Sequence, residues 1–227
     1  MPDRWKRAAA EAAVALVEDG MTLGLGTGST AAAALEALAG RLRAGLRIAG
    51  GVPTSDRTAE QARRLGIPLT DFARHQELDL TIDGADEIER SGLALIKGGG
   101  GALLREKIVA AASRRVVIVA DDTKLVDRLG RFRLPVETVP FGWEVTARRL
   151  GTLGAPVELR RGADGTPYLT DSAHFILDCA FGSIDDPAGL ERTIRQITGV
   201  VDCGLFIGLA TEAIVAGPGG TQRLTRT

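Results

Sequence analysis

Apolar positions along this chain follow two alternating periods. Ala8, Ala12 and Leu16 stand four residues apart and predict an amphipathic helix over residues 3–17 with Asp3 as its N-cap. Thr22–Leu25 is a short apolar run that stops at glycine, threonine and serine, as a strand does on meeting a turn. Alanine-rich Thr30–Leu42 predicts a second helix. The alternation continues through a strand at Leu46–Ala49, a helix at Ser55–Leu65, a short extended piece at Pro68–Leu69, and a strand at Leu78–Ile82. A helix opened by glycines follows at Ala102–Ala112. Val116–Ala120 is a continuous apolar, β-branched run, the pattern of a strand buried on both faces of a parallel sheet. Strands alternating with helices of this length predict βαβ units: an α/β fold with a mostly parallel sheet and helices on both faces.

The texture changes near Gly130. Pro135, Pro140, Pro156 and Pro167 now punctuate the chain, with short strands expected at Val136–Val139, Val157–Leu159, Tyr168–Thr170 and Phe175–Asp178, and a helix over Pro187–Ile197. This reads as a small α+β domain over residues 131–203. Leu205–Leu209 and Ala213–Val215 are expected to rejoin the first sheet, so residues 1–130 and 204–227 form the main domain. No internal repeat is visible.

Composition narrows the classes. At 227 residues, 44% hydrophobic and 25% charged, the chain can bury a core without disulfide or metal staples. Its 28 Lys and Arg against 29 Asp and Glu give a net charge of −1, which offers no electrostatic footprint for nucleic acid or an acidic membrane. Cys179 and Cys203 form no disulfide framework and read as reduced thiols of a cytoplasmic protein. No signal peptide and no apolar run of membrane-spanning length is present. His75 and His174 have nearby aspartates, but neither has a second histidine or a cysteine pair, so no metal site is expected.

Glycine is in excess, 29 residues or about 13% against the usual ~7%. Much of that excess sits where chemistry is expected, near the ends of apolar stretches, because ligands of open α/β sheets bind at the carboxyl ends of strands. Gly24–Thr30 (GLGTGST) offers backbone amides and hydroxyls ahead of a helix N-terminus, an anion cradle. It lacks the acidic residue of a dinucleotide site after the next strand and the lysine of a Walker loop. Asp83–Glu89 (DGADEIE) puts four carboxylates in seven residues. They suit sugar hydroxyls, a cation, or simply a solvated turn. Lys97–Lys107 (KGGGGALLREK) has four consecutive glycines, costly to order, before a helix bearing Glu106. In isolation Glu106 reads as a solvated helix glutamate, and Lys124 in ADDTK as a surface lysine. Together the segments point to acid–base chemistry on a small, anionic, hydroxyl-rich substrate.

GLGTGSTA, TIDGADEI, IKGGGGALLREKI and VIVADDTK, in this order and spacing, resemble ribose-5-phosphate isomerase type A. The likeness extends through LPVETVPF and GVVDCGLF over nearly the whole chain. The resemblance implies a Rossmann-like domain with a small α+β lid, no cofactor, and a homodimer or homotetramer. It implies interconversion of D-ribose 5-phosphate and D-ribulose 5-phosphate through an enediol, in the non-oxidative pentose phosphate pathway. Carried over by position, it implies substrate binding by Thr27, Gly28, Ser29 and Thr30, by Asp83, Gly84, Ala85 and Asp86, and by Lys97, Gly98, Gly99 and Gly100. Glu106 takes the place of the catalytic base and Lys124 that of a substrate-binding lysine. Lys6 falls where many members have a lysine. Gly101 stands where some members have alanine, and the tail IGLATEAIV is less polar than in some.

In that reading Asp83, Asp86 and Lys97 join Glu106 in the chemistry. Amides of Gly99–Gly101 and the Lys97 ammonium are the donors expected to face an enediolate oxygen. Leu103 and Leu104 would raise the Glu106 pKa, while the helix N-terminus would lower it. Two other classes share such features. A sugar-phosphate sensor would keep the cradle but could dispense with Glu106, and a CoA transferase would use a glutamate as nucleophile and form an acyl adduct.

Overall fold

The computed structural model describes residues 2–226. Helix α1 (Pro2–Val14) leads into β1 (Thr22–Leu25), α2 (Ser29–Arg43), β2 (Gly50–Pro53), α3 (Asp56–Arg64) and β3 (Leu80–Asp83). Two short strands, β4 (Glu87–Glu89) and β5 (Leu95–Ile96), precede α4 (Leu103–Ala111) and β6 (Val116–Asp121). A 3-10 turn (Asp122–Lys124) then passes to β7 (Leu125–Val126). The second half holds β8 (Leu134–Thr138), α5 (Trp143–Gly151), β9 (Val157–Leu159), β10 (Phe175–Cys179), α6 (Pro187–Arg195), β11 (Val200–Cys203) and β12 (Leu205–Phe206). β13 (Glu212–Gly217) and β14 (Gly220–Thr225) follow.

The main sheet runs β14-β13-β6-β3-β1-β2, parallel throughout except for the β13–β14 hairpin. Its β6 is buried at every residue, as the unbroken apolar run predicts. Val117 and Val119 face a core built from α1, α2 and α3. Val116, Ile118 and Ala120 face the opposite core, which includes Ala110 of α4. Side chains alternate across a strand, so one run serves two layers. β1 lies between β2 and β3, and the chain leaves these neighbours in opposite directions. That switch point opens a crevice at the carboxyl ends of β1 and β3.

A second, antiparallel sheet runs β11-β8-β10-β9, and a third runs β12-β5-β4-β7. Helix α4 packs against β3 of the main sheet and against β8 and β11 of the second. The helix carrying Glu106 is therefore clasped from two sides.

Several boundaries differ from the sequence expectation. The second strand is Gly50–Pro53, not Leu46–Ala49. A Cβ on Gly51 would lie 2.6 Å from a Leu25 methyl, so glycine is what lets β2 close on β1. Helix α1 already includes Asp3, which is therefore not its N-cap. The strand expected at Leu78–Ile82 begins at Leu80, with Leu78 in an isolated bridge to Ser113. Tyr168–Thr170 forms no strand. Of Leu205–Leu209 only β12 is extended, and it pairs with β5 rather than rejoining the main sheet. β13 does rejoin it, beside β6.

Candidate active site

The loop after β1 is shaped by what its glycines omit. A Cβ on Gly26 would fall 2.2 Å from Asp83 Oδ1, so only glycine allows this approach. The next amide, Thr27 N–H, donates to that same oxygen at 3.0 Å. Gly28 then caps α2 with φ +109°, a backbone region glycine accepts, and contributes no side-chain cap. The first amides of a fifteen-residue helix are thus left for an anion beside Ser29 and Thr30. The Thr27 hydroxyl is held in a buried cluster, 2.7 Å from Thr54 Oγ1, 2.8 Å from Ser55 Oγ and 3.0 Å from Thr58 Oγ1. Thr54, Ser55 and Thr58 escaped the sequence reading. The only signal was the Ser55-x-x-Thr58 spacing of a helix N-cap, which the structure uses as one.

Asp83, Lys97 and Glu106 form a buried charged group. Lys97 Nζ lies 3.0 Å from Asp83 Oδ2 and 3.1 Å from Glu106 Oε1, and it donates to the Gly84 carbonyl. All three side chains are nearly inaccessible. Asp83 Oδ1 also accepts from Gly84 N–H at 2.7 Å. Burial raises the Glu106 carboxyl to about 8, against the opposing pull of Lys97. Desolvation thus prevails over attraction at this carboxyl, and the opposing pull comes from Lys97 rather than from the helix N-terminus that the sequence set against it. Burial alone would lower the Lys97 ammonium, but Asp83 and Glu106 hold it above its ordinary value, so it stays charged. Glu106 Oε2 is buried and has no hydrogen-bond partner.

The glycine loop corrects one expectation. The Gly99 amide donates to Asp86 Oδ2 at 2.7 Å, and the Gly101 amide to the Gly98 carbonyl at 3.0 Å. Neither is left for an enediolate oxygen. The loop is held from outside by Arg160, which donates to the Gly98 carbonyl at 2.7 Å while ion-paired to Asp178 of β10. A lone arginine at a strand end carries no sequence signature, so this residue was missed too.

One cleft of about 590 Å³, including its solvent-open part, gathers these segments. Its walls bring together Thr27, Gly28, Ser29, Thr30, Gly84, Ala85, Asp86, Lys97, Gly98, Gly100, Glu106, Lys124 and Lys6. Asp83 is not on the wall but behind Lys97, and Gly99 is turned toward Asp86. The remaining carboxylates of the acidic segment do other work. Glu87 is buried and accepts from Gly130 and Phe132 amides, and Glu89 closes the turn at Ser91 and Gly92. Among the described residues no group of three or more His, Cys, Asp or Glu side chains is placed to hold a metal ion, and no helix is long and apolar enough to cross a membrane.

Comparison with known proteins follows the same outline. A family model described as ribose 5-phosphate isomerase A (phosphoriboisomerase A) matches residues 50–220. Ribose-5-phosphate isomerase A of Synechococcus sp. (strain JA-3-3Ab) is 56% identical over 227 residues, covering 99% of this chain and 98% of that one. Its counterpart in Gloeobacter violaceus is 58% identical over 224 residues, covering 98% and 96%. Among solved structures, a D-ribose-5-phosphate isomerase in complex with phospho-erythronic acid superposes with a TM-score of 0.96 at 36% identity, over 100% of both chains. The Methanocaldococcus jannaschii ribose 5-phosphate isomerase A gives 0.94 at 38% identity, covering 98% of this chain and 99% of that one.

Proposed function

The chain belongs to the ribose 5-phosphate isomerase A family, and on that premise we propose how its cleft performs the reaction. It is an isomerase that interconverts D-ribose 5-phosphate and D-ribulose 5-phosphate. The reaction moves a proton between C2 and C1 and needs one base that reaches both carbons. Glu106 is that base. The observation that carries the assignment is that Glu106, a residue of the cleft wall, keeps a buried and unpartnered Oε2. A carboxyl raised to about 8 binds the proton well enough to hold it between the two steps and still gives it back.

Glu106 takes the C2 proton of the open-chain aldose, leaving an enediolate, and returns it to C1. Lys97, permanently charged and 3.1 Å from Glu106, stabilises the negative charge that develops on the oxygen. Asp83 positions Lys97 from behind. Asp86, on the cleft wall, is the carboxylate that reaches the hydroxyls and relays the proton between O1 and O2. The α2 N-terminus with Ser29 and Thr30, joined by Lys124 and Lys6, holds the phosphate. Its fixed charge supplies binding energy remote from the reacting carbons. We read residues 1–130 with 204–227 as the catalytic body and 131–203 as a lid. All strands of the antiparallel sheet fall inside that interval, and Arg160 reaches from it to the glycine loop. A cytoplasmic homodimer or homotetramer without nucleic-acid or membrane partners belongs to the same proposal; the balanced charge supports only its lack of nucleic-acid and acidic-membrane partners, and the two unpaired cysteines only its compartment.

The test is Glu106→Gln, which keeps size but removes the ionisable oxygen. A coupled assay with ribose 5-phosphate is expected to show kcat lower by about 10² to 10⁴, with KM little changed. Near-normal turnover would move the base assignment to Asp86.

A further inference from the structure

Helix α4 starts without a cap of its own. Its N-cap is Ala102, whose side chain offers no acceptor, so the first-turn amides must find one elsewhere. The buried carboxylate of Glu137, on β8 of the second sheet, borders the same small cavity as Gly101, Ala102, Leu104 and Arg105. Glu137 is 1% exposed. Its Oε1 accepts from Thr170 Oγ1 at 2.9 Å and meets His174 Nδ1 at 3.0 Å. Thr170 Oγ1 in turn accepts from His174 N–H at 3.2 Å, so the 170–174 turn grips the carboxylate as a unit. Oε2 is buried and completes no hydrogen bond. Burial pushes the carboxyl up, while His174, Thr170 and the Leu104 amide of the first turn of α4 pull it down. Arg105 is not its partner, being engaged by Asp56 and the Asp171 carbonyl.

We propose that Glu137 is a positioning residue for Glu106: held by Thr170 and His174, it offers its free oxygen to the uncapped first turn of α4 across their shared cavity and steadies the helix turn that presents Glu106 beside Lys97. A carboxylate at a helix N-terminus is favoured by the unpaired amides and the helix dipole. Glu106 lies in that same first turn, so a loosened turn displaces the base directly. The proposal rests on Glu106 being the base.

Glu137→Ala removes that acceptor and Glu137→Gln keeps one of the same size. The alanine variant is expected to lose about tenfold to a hundredfold in kcat. KM for ribose 5-phosphate and the affinity for phospho-erythronic acid should stay within about twofold. The glutamine variant should recover most of that loss. The double variant Glu106→Gln/Glu137→Ala should be no slower than Glu106→Gln alone, because both changes act through one group. A folded Glu137→Ala enzyme with wild-type kcat overturns the proposal, as do kcat losses that multiply in the double variant. If the alanine variant does not fold, His174→Ala withdraws one grip on the carboxylate and is expected to lower kcat about threefold at unchanged KM. Wild-type kcat there overturns the proposal too. Near-normal turnover of Glu106→Gln alone would instead remove the base assignment, a result separate from these.

Discussion

Two buried lysines approach the ring of Phe206, Lys97 Nζ at 5.5 Å and Lys107 Nζ at 5.0 Å, and each is held by two carboxylates. Lys97 has Asp83 and Glu106. Lys107 has Asp202 at 2.6 Å, Glu191 at 3.3 Å, and the Cys203 carbonyl at 2.8 Å. Glu106 and Lys107 are neighbours on α4, about 100° apart around its axis, so they serve different surroundings. The group around Lys107 ties α4 to β11, and the Asp202 oxygen that receives Lys107 also accepts the Cys203 amide. The group around Lys97 is left incomplete: Glu106 keeps one unpartnered oxygen, and the residue lines the cleft. Similar ingredients become an anchor or a reagent according to whether every lone pair is used and whether substrate can reach what is left.

Removing each ammonium separates the two roles. Lys97→Met is expected to lower kcat by at least about 10², the loss of one preorganised donor to developing charge. Lys107→Met should leave kcat of the folded enzyme within a few-fold. Its cost falls on stability, about 3 kcal/mol in denaturant unfolding, because Asp202 loses its buried partner. The contrast fails if Lys107→Met disables catalysis while unfolding at the wild-type midpoint.

The pH dependence should divide in the same way. Glu106 must ionise to act, so wild-type kcat/KM should climb with pH and level off above about 8. Lys97→Met should move that limb to higher pH and Lys107→Met should leave it in place. A wild-type limb centred near 4 to 5 would contradict the burial argument. Stability has the opposite sign. The folded value exceeds the unfolded one of about 4.3, so the fold favours the protonated carboxyl. That contribution is complete below about pH 4 and is lost as pH rises through about 8. Unfolding midpoints taken from pH 5 to 9 should therefore fall less in Glu106→Gln than in the wild type.

The smallest expected effect concerns the far end of the cleft. Lys124→Ala should raise KM for ribose 5-phosphate about tenfold with kcat little changed, the loss of one charged contact worth about 1.4 kcal/mol. An unchanged KM would take Lys124 out of the phosphate site.

The open and closed lysine groups were unequally legible. Lys97, Asp83 and Glu106 stand in glycine-rich or acidic segments whose composition is unusual, so the chain itself draws attention to them. Lys107 ends the same glycine-rich segment, but its partner Asp202 lies 95 residues away, and nothing local marks their pairing. The same rule governs the fold. β6 is legible because its β-branched run is buried on both faces, but β2 is not, because Gly50 and Gly51 carry no apolar side chain to mark a strand until Thr70 packed over the one and Leu25 over the other are known. Helix α5 hides behind glutamate and arginines along an exposed face. Glu137 and Arg160 act on loops remote in sequence, and only the packing of the second sheet reveals them.

The position of β13 bears on how the protein is made. It is the parallel neighbour of β6, yet residues 122–211 come between them. A ribosome adding roughly 5–20 residues per second leaves β6 waiting some seconds for its partner. During that interval its outer edge offers unpaired amides and carbonyls on a strand that is apolar on both faces, a template for association with other nascent chains. Truncation ahead of residue 212 would make that exposure permanent. Insoluble product is then the expected outcome, although every residue on the wall of the cleft is still present.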